Sequence, residues 1–299
     1  MKKFIVVAGN IGVGKSTLVN RFLGQMIAPV TPKPQTTQRR QLGILTLENA
    51  QVIFVDTPGM HQAQHALGEF MNQAAQMALE DADVVVWLVD ASESPQAEDR
   101  LIAARLAALP QGQSVLLALN KVDQVQPDRL ETFQAQFQAL APGAVPLRIC
   151  ALSGAGKEAF IQALVERVPE GAPFYEDDQI TDLYEREIAV DMIRAAALIH
   201  LRDEIPHAIA VRIDEYSERS EEQAYIAATL FVEREAHKGM VVGQGGEMIK
   251  KIGSTARRSI EEMSGRKVFL ELRVKVSKNW RDDPSALRQF GYIRREDKA

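Results

Sequence analysis

A glycine-rich motif near the start of the chain has the residue types that bind a phosphate chain. Glycines let successive backbone N–H groups face one phosphate chain, and the start of a helix adds partial positive charge. Here Lys15 is placed to neutralise the β and γ phosphates, and Ser16 supplies a hydroxyl ligand for Mg²⁺, which prefers oxygen. A chance glycine turn explains neither the preceding strand nor the Lys-Ser pair at this spacing. The motif fits G-x-x-x-x-G-K-[ST] and reads Gly9-Asn10-Ile11-Gly12-Val13-Gly14-Lys15-Ser16, with Thr17 next.

A second motif, Asp56-Thr57-Pro58-Gly59, ends a predicted strand. Asp56 is placed to hold Mg²⁺ through a water, and the N–H of Gly59 can donate to a γ-phosphate. Taken alone, the same four residues are also an ordinary turn sequence.

A third motif, Asn120-Lys121-Val122-Asp123, ends another predicted strand, where the ligands of open α/β sheets bind. The Asp123 carboxylate only accepts hydrogen bonds, and one edge of guanine offers two N–H donors, whereas adenine offers an acceptor there. The motif therefore favours GTP over ATP. Turn chemistry explains the tetrapeptide by itself, but it does not explain its register with the other two motifs.

The first 168 residues alternate short apolar runs with helical patterns. Continuous apolar runs are typical of strands that helices cover on both faces, so they predict an α/β domain with a mostly parallel sheet. We expect strands at residues 4–8, 51–55, 84–89, 114–119 and 147–151, and helices at residues 16–22, 67–79, 98–109, 129–140 and 157–168.

A breaker-rich acidic stretch then interrupts both periodicities. It predicts a linker at residues 171–181 between domains at residues 1–170 and 182–299. The second domain has the pattern of an α+β unit in the order α-β-β-α-α-β. We expect a helix at about residues 182–201, strands near 207–215 and 224–233, a helical pattern at 243–263, and a strand at 267–276 with alternating apolar and charged residues.

A glycine-rich loop, Gly243-Gln244-Gly245-Gly246, opens that helical pattern, with Lys238, Lys250 and Lys251 close in sequence. Glycines let phosphates approach the main chain, and the following helix start favours anions. Another glycine-rich turn would have the same composition, but the element order and the local charge favour a GXXG loop that clamps a nucleic-acid backbone.

The charge of the chain is unevenly distributed. The net charge is −5, yet residues 236–299 carry fifteen Lys and Arg against eight Asp and Glu, a net of +7, which leaves −12 for residues 1–235. The content of apolar residues (46%) and charged residues (25%) excludes wholesale disorder and collagen. The single cysteine, Cys150, excludes an intrachain disulfide partner and a cysteine-rich zinc site. Because the first apolar run is too short for a signal peptide, and no run approaches a membrane span, we expect a cytoplasmic protein.

Together these motifs resemble the Era family of GTPases over residues 1–295. The resemblance implies a P-loop GTPase domain followed by an α+β type II KH domain. It also implies an enzyme that binds GTP or GDP with Mg²⁺, hydrolyses GTP, and binds the 3′ end of small-subunit ribosomal RNA during assembly of the small ribosomal subunit. Further similar stretches are Pro34-Gln35-Thr36-Thr37, Met60-His61 after the second motif, Val232-Glu233-Arg234-Glu235 and Leu287-Arg288-Gln289-Phe290-Gly291-Tyr292.

The resemblance also implies roles for individual residues. Thr37 would join Ser16 and Asp56 as a Mg²⁺ ligand, and Lys15, Thr37 and Gly59 would act in catalysis. The guanine loop would be Cys150-Ala151-Leu152, with the N–H of Ala151 meeting the guanine oxygen. The RNA contacts would come from Lys238, Gly243, Gln244, Gly245, Gly246, Lys250, Lys251 and Arg257.

The chain departs from the family pattern at three places. Gly12 stands where the family usually has an asparagine that helps to hold potassium, so we expect little potassium stimulation. Cys150 stands where the family has serine, and a thiol is the weaker hydrogen-bonding group. The pair Gln244-Gly245 has no lysine, so we expect the RNA affinity to depend on Lys250, Lys251 and Arg257.

Two other functions are compatible with parts of this pattern. A GTP-driven RNA-modifying enzyme would need a second catalytic group of residues after residue 170, and the sequence shows none. A membrane-associated regulatory GTPase would need a lipidation signal or a long basic amphipathic helix, so peripheral membrane contact is not indicated. Trp280, Phe290 and Tyr292 lie among arginines and either stack on bases or seal a core.

Overall fold

The structure, a computed structural model, describes residues 4–10, 12–31, 33, 36–59, 63–110 and 113–292. Contacts group the chain into two compact units. Unit 1 comprises Met1–Met26, Thr37–Gln62 and Met71–Asp182, and unit 2 comprises Ile27–Thr36, Ala63–Phe70 and Leu183–Ala299. Two short segments from the first part of the sequence therefore belong to the second unit, while the domain bounds at residues 170 and 182 stay a prediction.

Unit 1 is built on a six-stranded sheet. Its strands are β1 Phe4–Ala8, β2 Gln41–Thr46, β3 Gln51–Asp56, β4 Val84–Asp90, β5 Ser114–Asn120 and β6 Val145–Arg148. The order is β2-β3-β1-β4-β5-β6, and only β2 is antiparallel to its neighbour. The mostly parallel α/β sheet predicted from the apolar runs is confirmed.

The helices that follow these strands are close to the predicted ones. They are α1 Lys15–Leu23, α2 Ala66–Glu80, α3 Ala97–Ala107, α4 Pro127–Leu140 and α5 Lys157–Val165, with a short 3₁₀ turn at Val122–Gln124. Every residue from Ile5 to Ala8 and from Val84 to Val89 is at most 1% exposed, as expected for strands covered on both faces. Trp87 of β4 packs edge-on against Phe137 of α4, with ring centroids 5.8 Å apart.

Two strand predictions need correction. The strand predicted at residues 147–151 lies two to three residues earlier, at Val145–Arg148. It ends there because the N–H of Cys150 donates its hydrogen bond to the carbonyl of Ala155 in the next loop and not to a neighbouring strand. Strand β2 was not among the predicted strands. Its pattern, Gln-Leu-Gly-Ile-Leu-Thr, lacks the continuous apolar run of the central strands, because β2 pairs only with β3 at the edge of the sheet.

Unit 2 has the predicted order α-β-β-α-α-β. Its elements are α6 Glu185–His200, β7 Ala210–Ser220, β8 Gln223–Val232, α7 Glu235–Val242, α8 Glu247–Ser264 and β9 Lys267–Val276, followed by α9 Pro284–Gln289, with 3₁₀ turns at Ile205–Ala208, Gln244–Gly246 and Trp280–Asp282. Strand β8 is central, antiparallel to β7 and parallel to β9.

The aromatic residues near the end of unit 2 belong to its core. Trp280, Phe290 and Tyr292 are 0%, 5% and 6% exposed, and the Trp280 indole N–H donates to the carbonyl of Ala208 at 2.9 Å. Their rings contact one another, with centroids 5.5 Å apart for Trp280 and Phe290. Of the two alternatives that the sequence left open, sealing a core is therefore the one that the structure supports.

In the part of the chain that the structure describes, no helix combines the length and the apolar character needed to cross a membrane.

Candidate functional site

The phosphate loop runs from the end of β1 to the start of α1. Gly14 and Gly12 have φ angles of 98° and 78°, a backbone conformation that glycine adopts without strain. A Cβ atom on Gly9 would lie 2.3 Å from the carbonyl oxygen of Leu88, and one on Gly14 would lie 2.7 Å from the Asn120 amide nitrogen. Gly9 and Gly14 are therefore required by close packing as well as by the motif. Ile11 lies outside the described residues.

Lys15 is buried behind this loop, with 8% exposure. Its ammonium donates to the carbonyls of Gly9 at 3.1 Å and Asn10 at 2.8 Å. Burial lowers the pKa of Lys15 to about 8, against the opposing effect of the nearby Asp56 carboxylate. Phosphate oxygens at this position would favour the charged form and offset part of that burial cost.

Three side-chain oxygens converge next to Lys15. The Ser16 hydroxyl donates to the Asp56 carboxylate at 2.6 Å, and the Thr37 hydroxyl donates to the same carboxylate oxygen at 3.3 Å. The hydroxyl oxygens of Ser16 and Thr37 are 3.0 Å apart. One carboxylate and two hydroxyl groups are hard oxygen donors, so the residues fit a Mg²⁺ ion that keeps waters and phosphate oxygens as its other ligands.

The loop that follows β3 is tied to β1. The Thr57 hydroxyl donates to the carbonyl of Val7 at 3.1 Å, and Thr57 is 1% exposed. Pro58 and Gly59 are also buried. The second motif therefore starts at a side chain held in the core, while Met60 and His61 lie outside the described residues.

Asn120 connects three loops of the site. Its amide N–H donates to the carbonyl of Val13 at 2.7 Å, and its amide oxygen accepts from the N–H of Ala151 at 2.8 Å. Asn120 is 3% exposed, so both bonds are shielded from water. The sequence motif names this residue as part of base recognition but does not reveal that it joins the phosphate loop to the guanine loop.

Lys121 and Asp123 occupy different environments after β5. Lys121 has a φ of 63° and its ammonium lies 2.5 Å from the carboxylate of Asp90, the last residue of β4. The pKa of Asp90 is lowered: burial acts to raise it, but hydrogen bonds from Lys121 and Ser92 outweigh that effect. Asp123 is exposed in the 3₁₀ turn, with its carboxylate accessible. Sequence reasoning missed Asp90, although its place at a strand end beside β5 was a usable signal.

The predicted guanine loop is a tight turn after β6. Cys150 is buried, and its sulfur accepts from the N–H of Ser153 at 3.5 Å, while its own N–H donates to Ala155 at 3.0 Å. Leu152 is 76% exposed and Ala151 is buried. The backbone of Cys150 closes the turn, since its carbonyl also accepts from the N–H of Gly154 at 2.8 Å, and the structure places Ala151 beside Asn120.

The GXXG loop lies between α7 and α8. Gly243, Gly245 and Gly246 have φ angles of 74°, 58° and 80°, and a Cβ on Gly243 would lie 2.7 Å from that of Met248. Helix α8 begins at Glu247, directly after the loop, and Gln244 is exposed.

A groove of about 400 Å³ runs beside this loop, between α8 and β9. Lys250 and Arg257 are exposed at its rim, and Lys251 is exposed on the same helix. Lys238 on α7 lies 3.9 Å from Glu235. The groove is lined by Ile249, Lys250, Gly253, Ser254, Arg257, Leu270 and Leu272.

Comparisons with known proteins agree with both units. Residues 4–121 match the family model described as 50S ribosome-binding GTPase, and residues 204–281 match the KH domain model. A crystal structure of Era with MgGDPNP and nucleotides 1506–1542 of 16S ribosomal RNA has a TM-score of 0.91 and 34% identity, covering 98% of this chain and 99% of that chain. A structure of an Aquifex aeolicus Era variant bound to GDP and aluminium fluoride has a TM-score of 0.91 and 34% identity, covering 97% of this chain and 99% of that chain.

The fold, the motifs and the similarity along nearly the whole chain point to one assignment. The resemblance inferred from the motifs is confirmed, including the GTPase domain and the KH domain that follows it. The chain belongs to the Era family of GTPases.

Proposed function

We propose that this protein is a Mg²⁺-dependent GTPase whose KH unit binds the 3′ end of small-subunit ribosomal RNA, and that it acts in cytoplasmic assembly of the small ribosomal subunit. The observation that carries the proposal is that one chain holds both the oxygen cluster behind Lys15 and the glycine loop beside a basic groove. The similar Era structure holds a GTP analogue with Mg²⁺ and 16S ribosomal RNA.

The proposed nucleotide site is divided by chemistry. The phosphates would lie against the backbone of residues 9–17, and the guanine base against Asn120, Lys121, Asp123, Cys150, Ala151 and Leu152. Ser16, Thr37 and Asp56 would hold Mg²⁺, which neutralises charge on the β and γ phosphates when bound. Lys15 and the N–H of Gly59 would stabilise the charge that develops on the γ-phosphate, with Thr57 and Pro58 positioning that loop. GTP hydrolysis transfers the γ-phosphoryl group to water and leaves GDP and phosphate.

The proposed RNA site combines main-chain contacts in the GXXG loop with basic side chains around it. Gly245 and Gly246 have no heavy atom within 4 Å of a Cβ position, so phosphates can approach the main chain there. Lys238, Lys250, Lys251 and Arg257 would supply the positive charge around Gly243 and Gln244. We also propose that the domain bounds are residues 1–170 and 182–299, joined by residues 171–181.

Two negative charges in the GXXG loop test the RNA half of the proposal. Gln244→Asp with Gly245→Asp should lower RNA affinity at least tenfold, because the carboxylates repel phosphates and obstruct the main-chain contact. Any residual binding should show a flatter salt dependence, since fewer phosphates are engaged. The measurement is binding of a labelled oligoribonucleotide carrying the 3′ end of small-subunit ribosomal RNA across a salt series.

Two controls separate loss of RNA binding from loss of folding. GTP affinity should remain within about twofold in the double variant, because the nucleotide site belongs to unit 1. The variant Gln244→Asn, with Gly245 unchanged, carries no added charge and should bind RNA as the wild-type protein does. Unchanged affinity and salt slope in the Asp variant would show that the RNA site lies elsewhere.

A further inference from the structure

On the outer face of the unit 2 sheet, three side chains form a stack. The Arg219 guanidinium lies 4.9 Å from the ring centroid of Tyr225, and the Tyr225 ring is stacked on Phe269 at 5.8 Å with 20° between the planes. Tyr225 and Phe269 are register partners on β8 and β9. The stack therefore runs across the sheet, from the β7–β8 hairpin toward β9.

Phe269 is at the open end of this stack. It is 68% exposed, whereas the apolar residues on either side of it, Val268 and Leu270, point to the helix-covered face and are less exposed. Among the described strands β9 is at the edge of its sheet, so no strand continues the stack beyond Phe269. The exposed face of this ring is therefore available for a planar ligand to stack on.

The same strand borders the groove beside the GXXG loop. Leu270 and Leu272 of β9 line that groove from the inner face, and Phe269 precedes Leu270 on the opposite face. A chain that leaves the groove over the edge of β9 would meet the Phe269 ring next. The outer face is thus continuous with the proposed RNA site.

The exposed basic side chains on this face of β9 suit an anionic partner such as a nucleotide. Arg273, four residues along β9 on the same face, is 60% exposed, and Lys267 and Lys275 of this strand are also exposed. The carboxylate of Glu271 accepts hydrogen bonds from the Tyr225 hydroxyl at 2.9 Å and from Arg273 at 2.7 Å. These bonds hold Tyr225 flat against Phe269 and neutralise the carboxylate nearest to the ring.

We propose that Phe269 is a nucleobase-stacking site for single-stranded RNA that extends out of the KH groove. The proposal rests on the proposed function of unit 2 as an RNA-binding unit. The base would continue the stack of Arg219, Tyr225 and Phe269, and its phosphate would lie near Arg273. Stacking accepts any base, so this site adds affinity for longer RNA rather than sequence preference.

The test compares RNAs of two lengths. A four-nucleotide RNA fills the groove that a GXXG loop clamps, and a longer RNA adds four nucleotides at either end, with 2-aminopurine in the added part. The wild-type protein should bind one of the longer RNAs roughly tenfold more tightly than the short RNA, which is the effect of one base stacked on an aromatic ring. Binding should also quench the 2-aminopurine fluorescence of that RNA. In Phe269→Ala this gain and the quenching should disappear, while affinity for the short RNA and the salt slope stay the same.

Two conservative variants distinguish stacking from apolar docking. Phe269→Trp should keep the gain because indole stacks on bases, and Phe269→Leu should lose it although leucine is apolar. An equal length-dependent gain in the Leu and Trp variants would overturn base stacking, because the gain would then not need an aromatic ring. Tyr184→Ala, which removes another aromatic side chain of unit 2 that is 79% exposed, is the matched control and should change nothing.

The outcomes separate this inference from the proposed function. If Phe269→Ala retains the full length-dependent gain, the stacking site is wrong while the groove still binds the short RNA. If the original chain binds neither RNA, both the RNA-binding function and the stacking site fail.

Discussion

At the scale of single residues, Asp123 carries the choice of base. Its side chain is exposed after β5, while its neighbour Lys121 is paired with Asp90. A carboxylate offers only acceptors to guanine, whereas an amide can also donate. Asp123→Asn should therefore weaken GTP binding by at least tenfold and improve binding of xanthosine triphosphate, which has a carbonyl where guanine has an amino group.

Titration of both nucleotides against the variant measures this change in preference. Asp128→Asn, an exposed acidic residue at the start of α4, is the control for the lost charge. An unchanged preference for GTP in the Asp123 variant would mean that this side chain does not contact the base.

Gly12 sets a second prediction at this scale. It has a φ of 78° and no heavy atom within 4 Å of a Cβ position, so a side chain has room there, and asparagine tolerates this backbone conformation better than most residues. Because the chain lacks the asparagine usual in the family, its GTP hydrolysis rate should differ by less than about twofold between Na⁺ and K⁺. Gly12→Asn should make the rate rise in K⁺.

Single-turnover hydrolysis in each salt measures both rates. Gly12→Ala is the control, because it introduces a Cβ without an amide oxygen. A large increase in the GTP hydrolysis rate of the wild-type protein in K⁺ would contradict the role assigned to Gly12.

At the scale of elements, Asn120 joins loops that follow three different strands. The phosphate loop follows β1, Asn120 ends β5, and Ala151 follows β6. Removing a buried amide leaves the carbonyl of Val13 and the N–H of Ala151 without these partners, which costs about 1 to 3 kcal/mol for each group. Asn120→Ala should therefore weaken GTP and GDP binding together, at least tenfold, without changing the preference for guanine.

Calorimetric titration with both nucleotides checks this prediction. The control is Gln124→Ala, which removes an exposed amide side chain from the adjacent 3₁₀ turn. This variant should bind GTP and GDP as the wild-type protein does. A selective loss of GTP binding with GDP binding intact would show that Asn120 acts through the γ-phosphate and not through loop geometry.

At the scale of the whole molecule, unit 2 includes two segments that are distant in sequence from residues 183–299. The Arg194 guanidinium, 2% exposed on α6, donates to the carbonyl of Thr36. The Asp282 carboxylate accepts from the N–H of Ala66 at 2.9 Å and contacts the ring nitrogen of His65 at 2.8 Å. Phe70 packs edge-on against Tyr292 with ring centroids 5.7 Å apart.

A fragment of residues 182–299 lacks those partners. It should be less stable than the same unit in the full chain by about 2 to 4 kcal/mol, since each hydrogen bond contributes about 1 kcal/mol and an aromatic pair about as much. Urea unfolding followed by the fluorescence of Trp280 measures the difference. The full chain is measured with the substitution Trp87→Phe, because Trp280 is then its only tryptophan and reports on unit 2 alone.

Equal free energies of unfolding for fragment and full chain would mean that Ile27–Thr36 and Ala63–Phe70 add nothing to unit 2. Adding peptides with these two sequences to the fragment is the complementary experiment, and it should restore part of the stability.

Much of the site follows from local sequence alone. The three nucleotide motifs place their residues at strand ends because each depends on a few consecutive residues and on backbone geometry that glycine permits. The bounds of β1 and β9 agree with the predicted ranges because β1 is a continuous apolar run and β9 alternates without interruption, and each is followed by glycine or a polar residue. The order of elements in unit 2 was likewise readable from alternation and breakers.

Long-range contacts decided the rest. Neighbours in the sheet, the antiparallel edge strand β2, and the burial of Trp280 and Tyr292 depend on packing between residues far apart in sequence. The same holds for the bonds of Asn120 and the exposed ring of Phe269. Periodicity indicates which face of an element is apolar. The element that packs against this face depends on contacts throughout the whole unit, and a short stretch of sequence does not contain that information.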